Sequence, residues 1–139
     1  MRDCVKGSND RGDNGKKIVD NPDNLIFRIN FNDVIIGYIS NTAYSDEIAR
    51  FLKSCSIIIT SLIDLDEYSR PDSMDFDDAV SLFKATEPSL GIITNFGIKV
   101  EKNDPIAIAR EISKKSKTLI VCASDGLNIT PTSYSKKIS

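Results

Sequence analysis

The chain has 139 residues, 40% hydrophobic and 27% charged, with a formal net charge of −2 and no histidine or tryptophan. That length supports one domain with its own core and leaves no room for two. The near-neutral balance gives no basic field for nucleic acid, and no apolar run reaches the roughly 18 residues of a membrane helix, so neither partner is expected.

Residues 1–23 are rich in Gly, Asp, Asn and Lys, with only Val5, Ile18 and Val19 as aliphatic anchors, and are expected to form a flexible N-terminal arm. The first ten residues are polar and mixed in charge, which does not make a signal peptide. From Asn24, Leu25, Phe27, Ile29 and Phe31 alternate with Ile26, Arg28 and Asn30, the period of two that marks a strand. Asn32-Asp33 reads as a tight turn into a second strand, Val34 to Ser40. Ser45 then N-caps a helix: Asp46 and Glu47 fill its first turn, and Ile48, Phe51, Leu52 and Cys55 form one apolar stripe.

Ser56 to Ile63 is a short β-branched run, as in a strand covered on both faces. An acidic loop, Asp64 to Asp75, contains Pro71 and leads into a second helix from Phe76 to Ala85, capped by Asp75 and stopped by Glu87-Pro88. Leu90 to Thr94 is the next strand, and Asn95-Phe96-Gly97 a turn or loop. Asp104-Pro105 opens a third helix, which buries Ile108, Ala109 and Ile112. Thr118 to Ala123 reads as a strand, Ser124-Asp125-Gly126 as a turn, Leu127 to Thr130 as a last short strand, and residues 131–139 as a loose polar tail. A hairpin followed by alternating helix and strand argues an α/β layer with a mixed sheet.

Cys4, Cys55 and Cys122 are odd in number, far apart and without a CxxC pair, which points to a reducing, cytoplasmic setting. Cys55 and Cys122 lie in apolar runs and read as small buried hydrophobes; Cys4 reads as exposed. Asn128-Ile129-Thr130 matches a glycosylation sequon, set aside as chance without a secretory signal.

Four short motifs, in order, carry a resemblance. They are Gly37-Tyr38-Ile39-Ser40-Asn41-Thr42, Ser73-Met74-Asp75-Phe76-Asp77-Asp78-Ala79, Thr94-Asn95-Phe96-Gly97 and Ala123-Ser124-Asp125-Gly126. Over roughly residues 24–129 the chain resembles the C-terminal half of metallo-β-lactamase-fold hydrolases, especially RNase Z-like and archaeal members. The resemblance implies an α/β fold: half of an αβ/βα sandwich, one mixed β-sheet covered by about three helices, with residues 24–130 as the half domain. It also implies what has been replaced. Asn41 stands where the family has a metal-bridging aspartate, Ser73 where it has a histidine, and Asn95 where a histidine binds the second metal. The family's His-x-His-x-Asp-His cluster has no counterpart in a chain without histidine.

A neutral amide oxygen binds a divalent transition metal far more weakly than carboxylate or imidazole, so Asn41, Ser73 and Asn95 are read as vestigial positions. No catalytic residue, metal site or cofactor is assigned. Asn41 and Asn95 read more simply as strand-end residues that satisfy loop backbone. The acidic residues from Asp64 to Asp78 read as a solvated loop and a helix start, with an oxygen-ligated Mg²⁺ or Ca²⁺ as the lesser alternative. One sheet of a two-sheet sandwich leaves an apolar face open, so the expected function is that of a catalytically inactive protein acting through self-association or a protein partner. The alternatives are a subunit of a two-chain metallo-hydrolase and a small-ligand binding module. On its own the chain is not expected to be an enzyme.

Overall fold

The computed structural model describes residues 15–16, 25–40, 42–65 and 73–135. Its elements are β1 (Gly15–Lys16), β2 (Leu25–Phe31), β3 (Val34–Ser40), α1 (Asp46–Leu52), β4 (Ile57–Ser61), α2 (Phe76–Thr86), β5 (Leu90–Thr94), α3 (Ile98–Lys102), α4 (Pro105–Ser116), β6 (Ile120–Cys122) and a 3₁₀ turn, Pro131–Tyr134. The strands form one six-stranded sheet in sequence order. β1, β2 and β3 run antiparallel, and β3 through β6 parallel.

The hairpin turns at Asn32-Asp33 as expected, and Asn32 takes the left-handed φ of 56° that an asparagine tolerates. Beyond it, each step from one parallel strand to its neighbour carries helix to the same side. Ile26, Ile39, Ile58, Ile93 and Ile120 therefore pack with Ile48 and Leu52 of α1, Leu82 and Phe83 of α2, and Ile108 and Ile112 of α4 in one cluster. Each large aliphatic buried there contributes about 2 kcal/mol of transfer free energy.

The helix starts follow the sequence signals. The Ser45 hydroxyl accepts the Ile48 N–H at 3.3 Å, and Asp104 accepts from Ala107 ahead of Pro105. Asp75 and Asp78 form a reciprocal capping box, in which Asp75 accepts the Asp78 N–H at 2.8 Å. Arg28, on the helix-covered side of β2, donates to the Phe51 carbonyl at 3.2 Å and lies 5.1 Å over the Phe51 ring, tying α1 to the hairpin.

Three local expectations change. Residues 127–130 form no strand; Leu127 is exposed, and only Ile129 of this stretch packs against the sheet, as a side chain. The short helix α3 stands between the Asn95-Phe96-Gly97 loop and α4, where no element was expected, because fully buried Val100 anchors it without any side-chain cap to announce it. β6 is also shorter than Thr118 to Ala123. Cys55 is buried as expected, whereas Cys122 is only partly so. Of the N-terminal arm, Gly15–Lys16 pairs with β2; the rest of it, with Cys4, and residues 136–139 of the tail lie outside the described residues.

Among the described residues, no α-helix lies on the second face of the sheet. Register places Phe27, Ile29 and Phe31 of β2 beside Tyr38, Ile36 and Val34 of β3, and Ile36 and Tyr38 in turn beside Ile57 and Ile59 of β4. Phe27 and Tyr38 have their rings 5.3 Å apart. Val34, Ile57, Leu90 and Ile92 form a small cluster on this face with Ile129 and Tyr134 from the C-terminal segment.

Candidate functional site

In parallel α/β sheets, ligands gather where the carboxyl ends of the strands release their loops. At that edge β4 and β5 end in the paired residues Ser61 and Thr94, while β3 ends in Ser40. The chain leaving β4 acts as a hub. Leu62 donates to the Thr94 carbonyl at 3.0 Å and accepts from Gly97 at 3.3 Å, and Ile63 donates to the Met74 carbonyl at 3.0 Å. Thus the segments bearing Ser73 and Asn95 are brought to one edge, on either side of residues 62–64.

The Ser73 and Asn95 side chains, read from the resemblance as vestigial, do not make a site together. Ser73 is buried, whereas Asn95 is exposed and holds a left-handed φ of 51°. That conformation is the turn role asparagine serves well, and it fits the simpler reading of Asn95. Asn41 lies outside the described residues, but its neighbour Thr42 is buried.

The residues that preserve the motifs have structural work. A Cβ on Gly37 would sit 2.7 Å from Leu52 Cδ2 and 2.9 Å from Cys55 Sγ, so a larger residue would make those side chains shift. Gly97 is pressed against the Ile63 carbonyl, where any side chain collides with backbone. Phe96 packs against the core cluster. The motifs thus survive at their packing and capping positions and differ where the resemblance expects metal ligands.

The Asp78 carboxyl is pushed above the ordinary aspartate range, first by burial and then by the charge of Asp75; backbone N–H groups of Asp75 and Tyr44 oppose that rise by donating to it. Asp78 thereby joins the loop after β3 to the start of α2. The Tyr44 hydroxyl, raised by burial and then by its bond to Asp46, donates to Asp46 at 3.0 Å.

One expectation for this edge is revised. Asp64, read as part of a solvated loop, is buried, accepts the Leu65 N–H at 2.8 Å and pairs with Lys99 Nζ at 3.6 Å. Its place directly after an apolar strand was the available signal, but nothing in the spacing to Lys99 announces the pair. Asp66, Glu67 and Asp72 lie outside the described residues.

The donors at this edge do not fit the two-metal centre the resemblance implies. Ser73 offers a neutral hydroxyl, Asn95 a neutral amide turned to solvent, and Asp64 is committed to Lys99. Among the described residues no group of three or more His, Cys, Asp or Glu could hold a metal ion. At the opposite edge, a cavity of about 420 Å³ is lined by Lys84, Glu87, Pro88 and residues 115–118. Its lysines sit in or next to the last turns of α2 and α4, where cations complement the helix dipole.

Comparison with known proteins agrees with this architecture. No family model matches the chain, and no curated protein matches it by sequence. Among solved structures, the metallo-β-lactamase fold protein YhfI from Bacillus subtilis is similar, with a TM-score of 0.62 and 16% identity over 74% of this chain and 42% of that one. A diphosphatase from the PhnP family is similar with a TM-score of 0.52 and 13% identity, over 84% of this chain and 46% of that one. The chain therefore spans less than half the length of either structure. What the likeness establishes is the fold: an α/β layer with the architecture of part of a metallo-β-lactamase domain.

Proposed function

We propose that this chain is a catalytically inactive metallo-β-lactamase-like protein that works by binding, through its open sheet face, to a second copy of itself or to a protein partner. The observation that carries the reading is the composition of that face. Phe27, Ile29, Ile36, Tyr38 and Ile59 are only partly buried, no α-helix among the described residues covers them, and none of the face positions on β2–β6 that the register defines is charged. Contiguous apolar surface of this kind marks an interaction site.

The depleted edge supports the same reading from the other side. Hydrolysis by a metal pair needs several strong ligands to acidify a water and to clamp both oxygens of the reacting bond. Ser73 and Asn95 supply none, and no histidine exists to replace them. No helix among the described residues is long and apolar enough to cross a membrane. Three cysteines, odd in number and without a CxxC pair, fit a reducing compartment such as the cytoplasm.

The experiment is sedimentation velocity and elemental analysis on one purified, untagged sample, with a hydrophobic dye titrated into the same protein. Self-association, or a monomer that binds the dye, without stoichiometric metal supports the reading. Stoichiometric zinc, manganese or iron overturns the inactive part. A monomer that leaves the dye dark overturns the interaction part.

A further inference from the structure

The open face is not open everywhere. Val34 and Leu90 are fully buried, and Ile57 and Ile92 are 2% and 7% exposed, whereas Ile36 and Ile59 in the same sheet remain partly exposed. The difference follows the C-terminal segment, whose Ile129 and Tyr134 pack on the buried group. This segment lies where a second layer would lie.

It is lightly held. Its backbone hydrogen bonds, Leu127 to Ser124 and Ser133 to Thr130, close turns within the segment, and neither reaches the sheet. Among the described residues, the side chains of Ile129 and Tyr134 and a four-residue 3₁₀ turn hold it to the sheet. Segments with so few buried contacts and no shared ladder open at the low end of a protein's stability range.

We infer that residues 129–134 are a strap over part of the face through which the chain pairs with a second copy, so that lifting the strap strengthens pairing. The inference rests on the proposal that this face is the interaction surface. Size argues for it: five strands about 4.8 Å apart and about 17 Å long give a face of roughly 400 Å² in projection. Side-chain relief brings such a face towards the roughly 800 Å² per partner of a stable complex, and the strap removes part of it. Charge chemistry argues for the second copy. A face with no charged position is complementary to itself, since a two-fold pairing buries no ion and sets no like charges together. Within this sequence the residues outside the described set offer little to take that place: residues 1–14 and 17–24 contain only Met1, Val5, Ile18 and Val19 as large aliphatics, residues 136–139 only Ile138, and Asn41 and residues 66–72 none.

The test is sedimentation velocity over a concentration series on the intact chain, on the double variant Ile129→Asn/Tyr134→Asn, and on both with Ile59→Lys added. Circular dichroism confirms folding, and Tyr134→Ala alone repeats the strap test with a milder change. Pairing at least ~10-fold tighter in the strap variants, lost on adding Ile59→Lys, is the expected result. Equal or weaker pairing in the strap variants overturns the strap, because the segment is then irrelevant to the interface or part of it. If every variant stays monomeric while the strap variants bind more hydrophobic dye, pairing with a second copy is overturned and the open-face proposal stands. If none binds dye, both fall.

Discussion

Gly97 lies against the carbonyl oxygen of Ile63 so closely that a Cβ built on it would stand well under 3.0 Å away. The neighbour is backbone of the segment leaving β4, itself tied to Thr94 and Met74, and cannot swing aside. Gly97→Ala is therefore expected to destabilise the protein by about 2–3 kcal/mol, at the upper end of small overpacking costs. Urea denaturation measures it; a change below ~0.5 kcal/mol, the range of a neutral surface substitution, contradicts the packing described.

A second close approach lies in the core. A Cβ on Gly91 would meet Phe83 Cε1 at 2.5 Å and Ile120 Cδ1 at 2.6 Å. Gly91→Ala should cost about 1–3 kcal/mol. Shortening the neighbour relieves part of the clash, so the double variant with Phe83→Leu should lose about 1 kcal/mol less than the sum of the singles. Strict additivity in that cycle places the two residues apart.

Asp78 makes a pH-dependent prediction. Its pKa is raised in the folded protein, so folding favours its protonated form. Its contribution is fully present below the unfolded aspartate range and is lost as pH rises through the folded value. The stability of wild type relative to Asp78→Asn should be greatest in mild acid and decline towards neutrality, as read from melting temperatures between about pH 3 and pH 7. A relative stability that rises with pH reverses the sign of the argument.

If Asn95 is a turn residue rather than a binding residue, its backbone conformation is what matters. Asn95→Gly should leave stability within about 0.5 kcal/mol, while the β-branched Asn95→Val should cost about 1–2 kcal/mol at its φ of 51°. Thermal melts of both variants decide this. Equal effects from glycine and valine place the importance of Asn95 in its amide group instead.

Much of this fold is legible in the sequence because the signals are local. The alternation from Leu25, the Asn32-Asp33 turn, and the caps Ser45, Asp75 and Asp104 all lie within a few residues of the elements they define. The β5 strand, bounded by Glu87-Pro88 and Asn95, has the expected limits Leu90–Thr94. The misreadings involve contacts between distant segments. α3 depends on burying Val100, Asp64 on Lys99, and the placement of residues 129–134 on a sheet face built some forty to a hundred residues earlier. At the candidate site, the sequence motifs point to the edge where the chains leaving β4 and β5 meet. They do not reveal that Ser73 is buried while Asn95 faces solvent, because that depends on how the two loops fold against residues 62–64.

The central claim is that the face of this sheet opposite α1, α2 and α4 is a binding surface, and sedimentation velocity of wild type beside Tyr38→Lys, each with a hydrophobic dye titration, tests it most directly. Tyr38 lies on that face with its ring 5.3 Å from that of Phe27, and a lysine there places a charge in any interface it forms. The account predicts that wild type associates or, if its partner is another protein, binds the dye as a monomer, and that Tyr38→Lys reduces whichever is seen. A wild-type protein that is monomeric at all concentrations and leaves the dye dark contradicts it.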